Sequence, residues 1–196
     1  MRCLAVRRGK KLKKKSWFTI IAPSYFKHIP LGLTMASEPK YVLGRVVEAS
    51  AMTLTNDYSK YYMKFKFKVN KVEGDKAFTV FDGVECLQDY ISRLIRRRVR
   101  RIDVIQDVTT KDGITLRVKS LAVSNRIIKS SVKKSLRDFI KEIVHQEISG
   151  STVQQVIEKI VSDTIKKRIL KEGSKIYPLR YFEIRRIDVI SSGEKG

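Results

Sequence analysis

Residues 82–113 read DGVECLQDYISRLIRRRVRRIDVIQDVTTKDG. At 3.6 residues per turn, Val84, Leu87, Ile91, Leu94 and Ile95 gather on one helical face. Arg93, Arg96, Arg97 and Arg100 gather on the opposite face, with Arg101 at its margin. Arg98 would land among the apolar residues, so the helix is predicted to end near it and a strand to follow. Six arginines lie within nine residues with no acid among them. Charged helix faces ordinarily alternate in sign, because like charges at i,i+4 repel by about a few tenths of a kcal/mol. An all-arginine face is suited to an anionic partner, since guanidinium forks grip phosphate oxygens with two parallel hydrogen bonds.

Upstream, Tyr61, Met63, Phe65, Phe67 and Val69 alternate with Tyr62, Lys64, Lys66, Lys68 and Asn70. That period of two is the cleanest strand signal in the chain, and it sends Lys64, Lys66 and Lys68 to the face away from the core. Such lysines either meet RNA or keep an exposed strand from aggregating. Glu73-Gly74-Asp75-Lys76 turns the chain into a partner strand over 77–81. Further back, residues 41–50 read as a strand, 51–60 as a turn around Asn56-Asp57, and 24–40 as loop because of Pro30, Gly32 and Pro39. Residues 17–21 form a short strand in which Trp17 is expected to anchor the core.

Downstream, 102–110 and 114–123 flank Lys111-Asp112-Gly113 as a hairpin with Ile114, Leu116 and Val118 inward. Arg126 and Lys129 lead into a helix whose apolar stripe is Val132, Leu136, Phe139, Ile140 and Ile143, ended by Gly150. Ser151-x-x-Gln154 resembles a capping box for a second helix that runs to Gly173. Residues 176–180 link it to a last strand over 181–190, expected to close the sheet begun at the other end. The resulting expectation is a single α+β domain over 17–190, with an Arg-rich helix and two C-terminal amphipathic helices. It is flanked by a basic disordered arm over 1–16 and a flexible tail over 191–196.

The net charge of +22 over 196 residues requires a polyanion to neutralise it, while 42% apolar residues are enough for a packed core. The arm carries Arg7, Arg8, Lys10, Lys11, Lys13, Lys14 and Lys15, and the first 37 residues hold nine basic residues and no acid. Short basic runs of this kind also serve as nuclear or nucleolar addresses. Cys3 and Cys86 do not make a disulfide framework, which suits a reducing compartment. No run of 18 apolar residues exists, so no membrane span is expected.

Several segments, in order, resemble one family. They are Trp17-Phe18 with Ala22-Pro23-x-x-Phe26, Gly44-Arg45-Val46-Val47-Glu48-x-Ser50, and Leu54-Thr55-x-Asp57-x-Ser59-Lys60. Then come Asp107-Val108-Thr109-Thr110-Lys111-Asp112-Gly113, Leu116-Arg117-Val118-Lys119, Lys175-Ile176-Tyr177-Pro178-Leu179-Arg180 and Glu183-Ile184-Arg185. The chain is similar over about 17–189 to the archaeal and eukaryotic small-ribosomal-subunit protein family S-three-a-e, also called e-S-one. The resemblance implies a β-barrel-like core decorated with helices, on the platform of the small subunit near the messenger exit and the 3′ end of the small rRNA. It implies small-subunit rRNA and neighbouring ribosomal proteins as partners, with messenger RNA near the exit as a further one. Localisation follows: on cytoplasmic ribosomes, and nucleolar during assembly if the source is eukaryotic. Two segments depart from the family's pattern: Ala51-Met52-Thr53 stands where an acid-containing segment is expected, and Asp188 interrupts a usually basic last strand.

Three functions follow from these readings. In the first, the chain is a structural rRNA-binding protein in which Arg93, Arg96, Arg97, Arg100 and Arg101 grip phosphates and the arm threads between RNA elements. Lys64, Lys66 and Lys68 are secondary RNA contacts. The second is an enzyme acting on nucleic acid, for which the sequence offers little. His28 and His145 have no Cys or His at metal-ligand spacing, the glycines form no phosphate-cradling loop, and no cofactor is indicated. Asp103 and Asp107 can face the same way as a Mg²⁺ pair, but acids beside arginines ordinarily make ion pairs. The third is a non-ribosomal regulatory or single-stranded RNA-binding module, with Tyr62 and Phe81 stacking on bases.

Overall fold

The alternation at 63–69 sets one face of the sheet: Met63, Phe65, Phe67 and Val69 are buried while Lys68 is exposed and Lys64 and Lys66 half-buried. The computed structural model describes residues 14–191; Arg7, Arg8, Lys10, Lys11 and Lys13 of the expected arm lie outside them, as do residues 192–196 of the expected tail. The strands are β1 (Ser16–Ile21), β2 (Pro30–Ala36), β3 (Val46–Ser50), β4 (Met63–Glu73), β5 (Lys76–Cys86), β6 (Arg101–Thr109), β7 (Thr115–Ser124) and β8 (Leu179–Ser191). The helices are α1 (Ala51–Thr55), α2 (Gln88–Leu94), α3 (Ser130–Ser149), α4 (Val153–Val161) and α5 (Thr164–Gly173). The fold is therefore α+β, as expected.

All eight strands join one sheet in the order β2-β1-β5-β8-β7-β6, with β4 on the other edge of β5 and β3 on β4. The sheet forks at β5. Its first residues, 76–78, pair in parallel with β1, and its last, 83–85, pair antiparallel with β8. Among the described residues no pairing joins β6 to β2 or β3, so the strands form an open, branched sheet and not a closed barrel. Nor does β8 return to the start of the sheet as expected. It is inserted between β5 and β7, joining the two halves.

Two apolar clusters follow from the fork. The larger lies between the sheet and the helices, with Phe26 edge-on to Phe65 and Phe67 at 5.2 and 5.6 Å. The smaller contains Phe18, Ile20, Ala36, Val42, Val69 and Ala77 beneath β1 and β2. Phe18, not Trp17, fills the core position of β1: Trp17 is 57% exposed and lies opposite Met35 of β2. Residues 24–40 are not all loop, since β2 lies within them. The strand expected from Tyr41 starts only at Val46, because 39–41 form a 3₁₀ turn and Gly44 adopts φ +78°.

Of the stripe read from its spacing, α3 buries Leu136, Ile140 and Ile143 and half-buries Val132 and Phe139, and it buries Val144 and Ile148 as well. The capping box of α4 sits one residue later than Ser151: Thr152 accepts from the Gln155 amide at 3.4 Å, and the Gln155 side chain accepts from the Thr152 amide at 3.2 Å. Thr152→Ala is expected to lower unfolding stability by about 1 kcal/mol, measurable in urea titration. Three C-terminal helices are present where two were expected. The chain breaks at Asp163, whose φ of +57° is a left-handed conformation that Asp tolerates. An ion pair with buried Lys60 fixes the break.

The three helices are tied by Glu147, which accepts from Lys159 at 2.6 Å and from Arg168 at 2.5 Å. The Lys159 hydrogen bond outweighs burial, and with Arg168 it holds the Glu147 carboxyl below its ordinary value of 4.5. A depressed carboxylate stabilises the fold fully above its unfolded value and loses that contribution as pH falls through the folded one. Stability should therefore decline on acidification below about pH 4.5. Glu147→Gln should flatten that decline in unfolding midpoints measured from pH 7 downward.

Candidate nucleic-acid interface

The arginines do not share a helix face. Val84 and Cys86 belong to β5, α2 ends at Leu94, and Arg96, Arg97, Arg98 and Arg100 lie in the loop to β6. Arg93 alone is helical, in the last turn of α2, and Arg101 opens β6. Strand pairing of β5 with β4 and β8 takes Val84, which helical spacing had claimed, a tertiary override of local pattern, while Ile91 and Leu94 stay helical. Within the loop, Ile95 and Val99 pack against the main core while the arginines between and after them are exposed. Arg98 adopts φ +67°, turning the chain so that its side chain faces out.

A residue that the sequence did not single out pins this loop. Ser124, fully buried at the end of β7, donates its amide to the Arg100 carbonyl at 3.0 Å, and its hydroxyl accepts from the Arg100 amide at 3.1 Å. The same hydroxyl lies 2.6 Å from the Arg126 carbonyl, to which it donates. Next to it, the Asn125 amide donates to the Pro178 carbonyl at 3.3 Å. Three loops, 95–100, 125–129 and 174–178, therefore meet at the end of the sheet where β6 begins, β7 ends and β8 begins.

They bring together exposed Arg96, Arg97, Arg98 and Arg100 with exposed Arg126, Lys129 and Lys175, and with exposed Arg180 at the start of β8. None of these eight has an ion-pair partner among the described residues. Three of the eight, Arg96, Arg97 and Arg100, were expected as RNA contacts, while Arg98 was expected only to mark the end of the helix. The others follow from a signal that was available: 126–137 and 175–180 are also basic stretches without an acid. Arg93 is exposed and has no ion-pair partner among the described residues either, whereas Arg101 is held by both carboxylate oxygens of Asp103.

The outer face of the sheet is different. Glu48 of β3 pairs with Lys64 and Lys66 of β4 at 3.3 and 3.7 Å, and Lys66 also pairs with Glu85 of β5. Arg186 and Lys119 meet on Asp188 at 2.6 and 3.1 Å, and Arg117 meets Asp107 at 2.8 Å. Burial alone would push the Asp188 carboxyl up, but the hydrogen bonds from Arg186 and Lys119 outweigh it and hold it down. Lys66 likewise lowers Glu85, and Arg117 lowers Asp107. Lys64 and Lys66 are thus committed to internal pairs. Lys68 is exposed without one among the described residues, as are Lys14 and Lys15. Asp103 and Asp107 are each taken by an arginine, and among the described residues no three His, Cys, Asp or Glu side chains cluster as metal ligands.

A buried polar group fixes α2, and with it the start of the arginine loop. Glu183, 4% exposed, accepts from the Tyr90 hydroxyl at 3.0 Å and pairs with Lys166. Tyr62 stacks on Tyr90 at 4.0 Å. Burial pushes both phenols up and the Cys86 thiol to about 12, where it donates to the Ile184 carbonyl and is not a nucleophile. Tyr62 and Phe81 are each 6% exposed, so neither offers a ring to a base.

The Ribosomal S3Ae family model matches residues 6–193. The chain belongs to this family. It is 41% identical over 189 residues to a protein of Archaeoglobus fulgidus named small ribosomal subunit protein eS1, covering 95% of this chain and 90% of that one. A protein of the same name from Sulfurisphaera tokodaii is 40% identical over 93% of this chain and 94% of its own. Another, from Methanothrix thermoacetophila, is 35% identical over 95% and 89%. Family membership gives the segments read from the sequence structural meaning. Lys175–Arg180 forms part of the cationic end, while the turn at 111–113 braces α4, with Asp112 accepting from the Val153 amide at 2.8 Å. Of the two departures from the family's pattern, Ala51-Met52-Thr53 lies in α1, with Ala51 buried, and Asp188 is a rung of the charge ladder. Among the described residues no helix is long and apolar enough to cross a membrane.

Proposed function

We propose that this chain is a structural protein of the small ribosomal subunit that holds rRNA against the cationic end of β6, β7 and β8. The observation that carries the reading is the convergence of eight exposed cations, without ion pairs among the described residues, from three loops and the start of β8. Each cation that meets a phosphate releases condensed counterions, and arginine adds bidentate geometry. Lys14 and Lys15, with Arg7, Arg8, Lys10, Lys11 and Lys13 before them, extend the contact as an arm threaded between RNA elements. Lys68 is a secondary contact, and Lys64 and Lys66 contribute less because binding RNA would break their existing pairs. The role is architectural and not catalytic, in keeping with the names of the relatives.

The finer placement belongs to the same proposal: the platform near the messenger exit and the 3′ end of the small rRNA, beside other small-subunit proteins and messenger RNA. Cytoplasmic ribosomes are the site of action, with a nucleolar stage in a eukaryotic source. A free-standing single-stranded RNA module is disfavoured by the burial of Tyr62 and Phe81. Ultraviolet crosslinking of assembled small subunits, read by mass spectrometry, tests the assignment. Crosslinked peptides should come from 96–101, 125–129 and 175–180. Crosslinks confined to the sheet's outer face, around Lys66 and Lys119, would overturn it.

A further inference from the structure

Phosphate neutralisation does not account for two side chains at the cationic end. Ile127 is 65% exposed and Ile176 42% exposed, each in a loop flanked by cations, Arg126 and Lys175. A single exposed isoleucine is ordinary. Here two occur on loops tied together through the Asn125–Pro178 hydrogen bond. Close to them in sequence, at the ends of the same two loops, stand Asn125, exposed and with no hydrogen bond to its side-chain amide among the described residues, and Arg180, exposed with its guanidinium 5.3 Å from the Tyr181 ring.

Resting on the RNA-binding reading above, we propose that this end holds one unstacked nucleotide of the RNA, with Asn125 reading the base edge and Ile127, Ile176 and Arg180 packing on its faces. The chemistry of the surface favours that ligand over a regular duplex. An A-form helix presents phosphates and 2′-hydroxyls, which cations satisfy and isoleucines do not. An unstacked base presents two apolar faces and a polar edge. An amide offers both a donor and an acceptor to that edge, and a guanidinium already stacked on one ring has a second face for another. A protein partner would instead have to bring acids to neutralise the surrounding cations.

The test uses the full chain and two RNA hairpins of equal length, one fully paired and one with a single bulged nucleotide, titrated by fluorescence anisotropy over a range of salt. The wild-type protein should bind the bulged hairpin about tenfold more tightly, a difference of the size expected for one stacked base. Ile127→Ala with Ile176→Ala should abolish the preference and leave the salt dependence unchanged. Asn125→Ala should retain tighter binding of the bulge but lose discrimination among the four bases at it. Arg96→Ala with Arg97→Ala should weaken both hairpins alike and flatten the salt dependence. Equal, steeply salt-dependent binding of both hairpins by the wild type would overturn the nucleotide site while leaving the RNA-binding reading standing. Salt-independent or absent binding to both would instead sink that reading itself. If the isoleucine variant keeps the bulge preference but fails to join the small subunit, the patch is a protein contact and the nucleotide site is wrong.

Discussion

Replacing Arg96, Arg97 and Arg100 with alanine and Arg98 with glycine in one protein is expected to weaken rRNA binding about a thousandfold at about 0.1 M salt. Glycine is chosen at Arg98 because its φ of +67° is left-handed and would strain alanine. Four lost phosphate contacts reduce the slope of log affinity against log salt by about 3, taking about 0.7–0.9 per contact. Extrapolated from about 1 M salt, where this contribution vanishes, a slope change of that size is about three decades at 0.1 M. All four side chains are exposed and without ion pairs among the described residues, so the unfolding midpoint should hardly move. The same measurement on Lys64→Ala with Lys66→Ala should show a small change, because those lysines are already paired with Glu48 and Glu85. A quadruple variant that kept the wild-type slope would refute the assignment of the interface to this loop.

The second large effect is structural. Gly83→Ala is expected to destabilise the fold by about 3 kcal/mol, at the upper end of the usual range for overpacking. A Cβ at Gly83 would press into the backbone carbonyl of Ile187, well inside van der Waals contact. Backbone cannot step aside there as a flexible side chain would. The collision falls at the junction that joins the two halves of the sheet, where β5 and β8 share only the pairs 83–188, 84–187 and 85–186. Urea unfolding measures the loss, and amide exchange should show it first at 83–85 and 186–188. By contrast, Gly113→Ala meets no atom within 4 Å and has only its φ of +75° against it, so it should cost about 1 kcal/mol. Similar losses at the two positions would mean that conformational freedom, and not the close approach of β8, explains Gly83.

The parts of the fold legible in the sequence are those whose partners lie close in the chain. The alternation through Phe65 and Phe67, the hairpin around Gly113 and the stripe of α3 are all set by neighbours within a few residues or one turn. The parts misread depend on distant partners. Val84 has helical spacing to Leu87 and Ile91, but Ile187 of β8 draws it into a strand. Asp163 interrupts an otherwise continuous amphipathic pattern because Lys60 is there to receive it. Trp17 and Phe18 are adjacent, and strand polarity flips with a slip of one residue, so local pattern cannot choose which faces the core. At the candidate interface the chemistry was legible as acid-free runs of arginine, but the geometry was not. Only the order of β6, β7 and β8 brings Arg126, Lys129, Lys175 and Arg180 beside the arginine loop.

The position of β8 also bears on how the protein is made. The residues that join the halves, 83–85 and 186–188, are separated by about a hundred positions, and the joining strand is the last of the eight to be synthesised. Until it emerges, the nascent chain carries two incomplete sheets with open edges on β5 and β7, which invite mispairing and favour a protective chaperone. Lys175 emerges in the loop immediately before β8 and Arg180 is that strand's second residue, so the cationic end is completed in the same closing step. On the proposed assignment of the interface, incorporation into a particle waits for translation to reach β8.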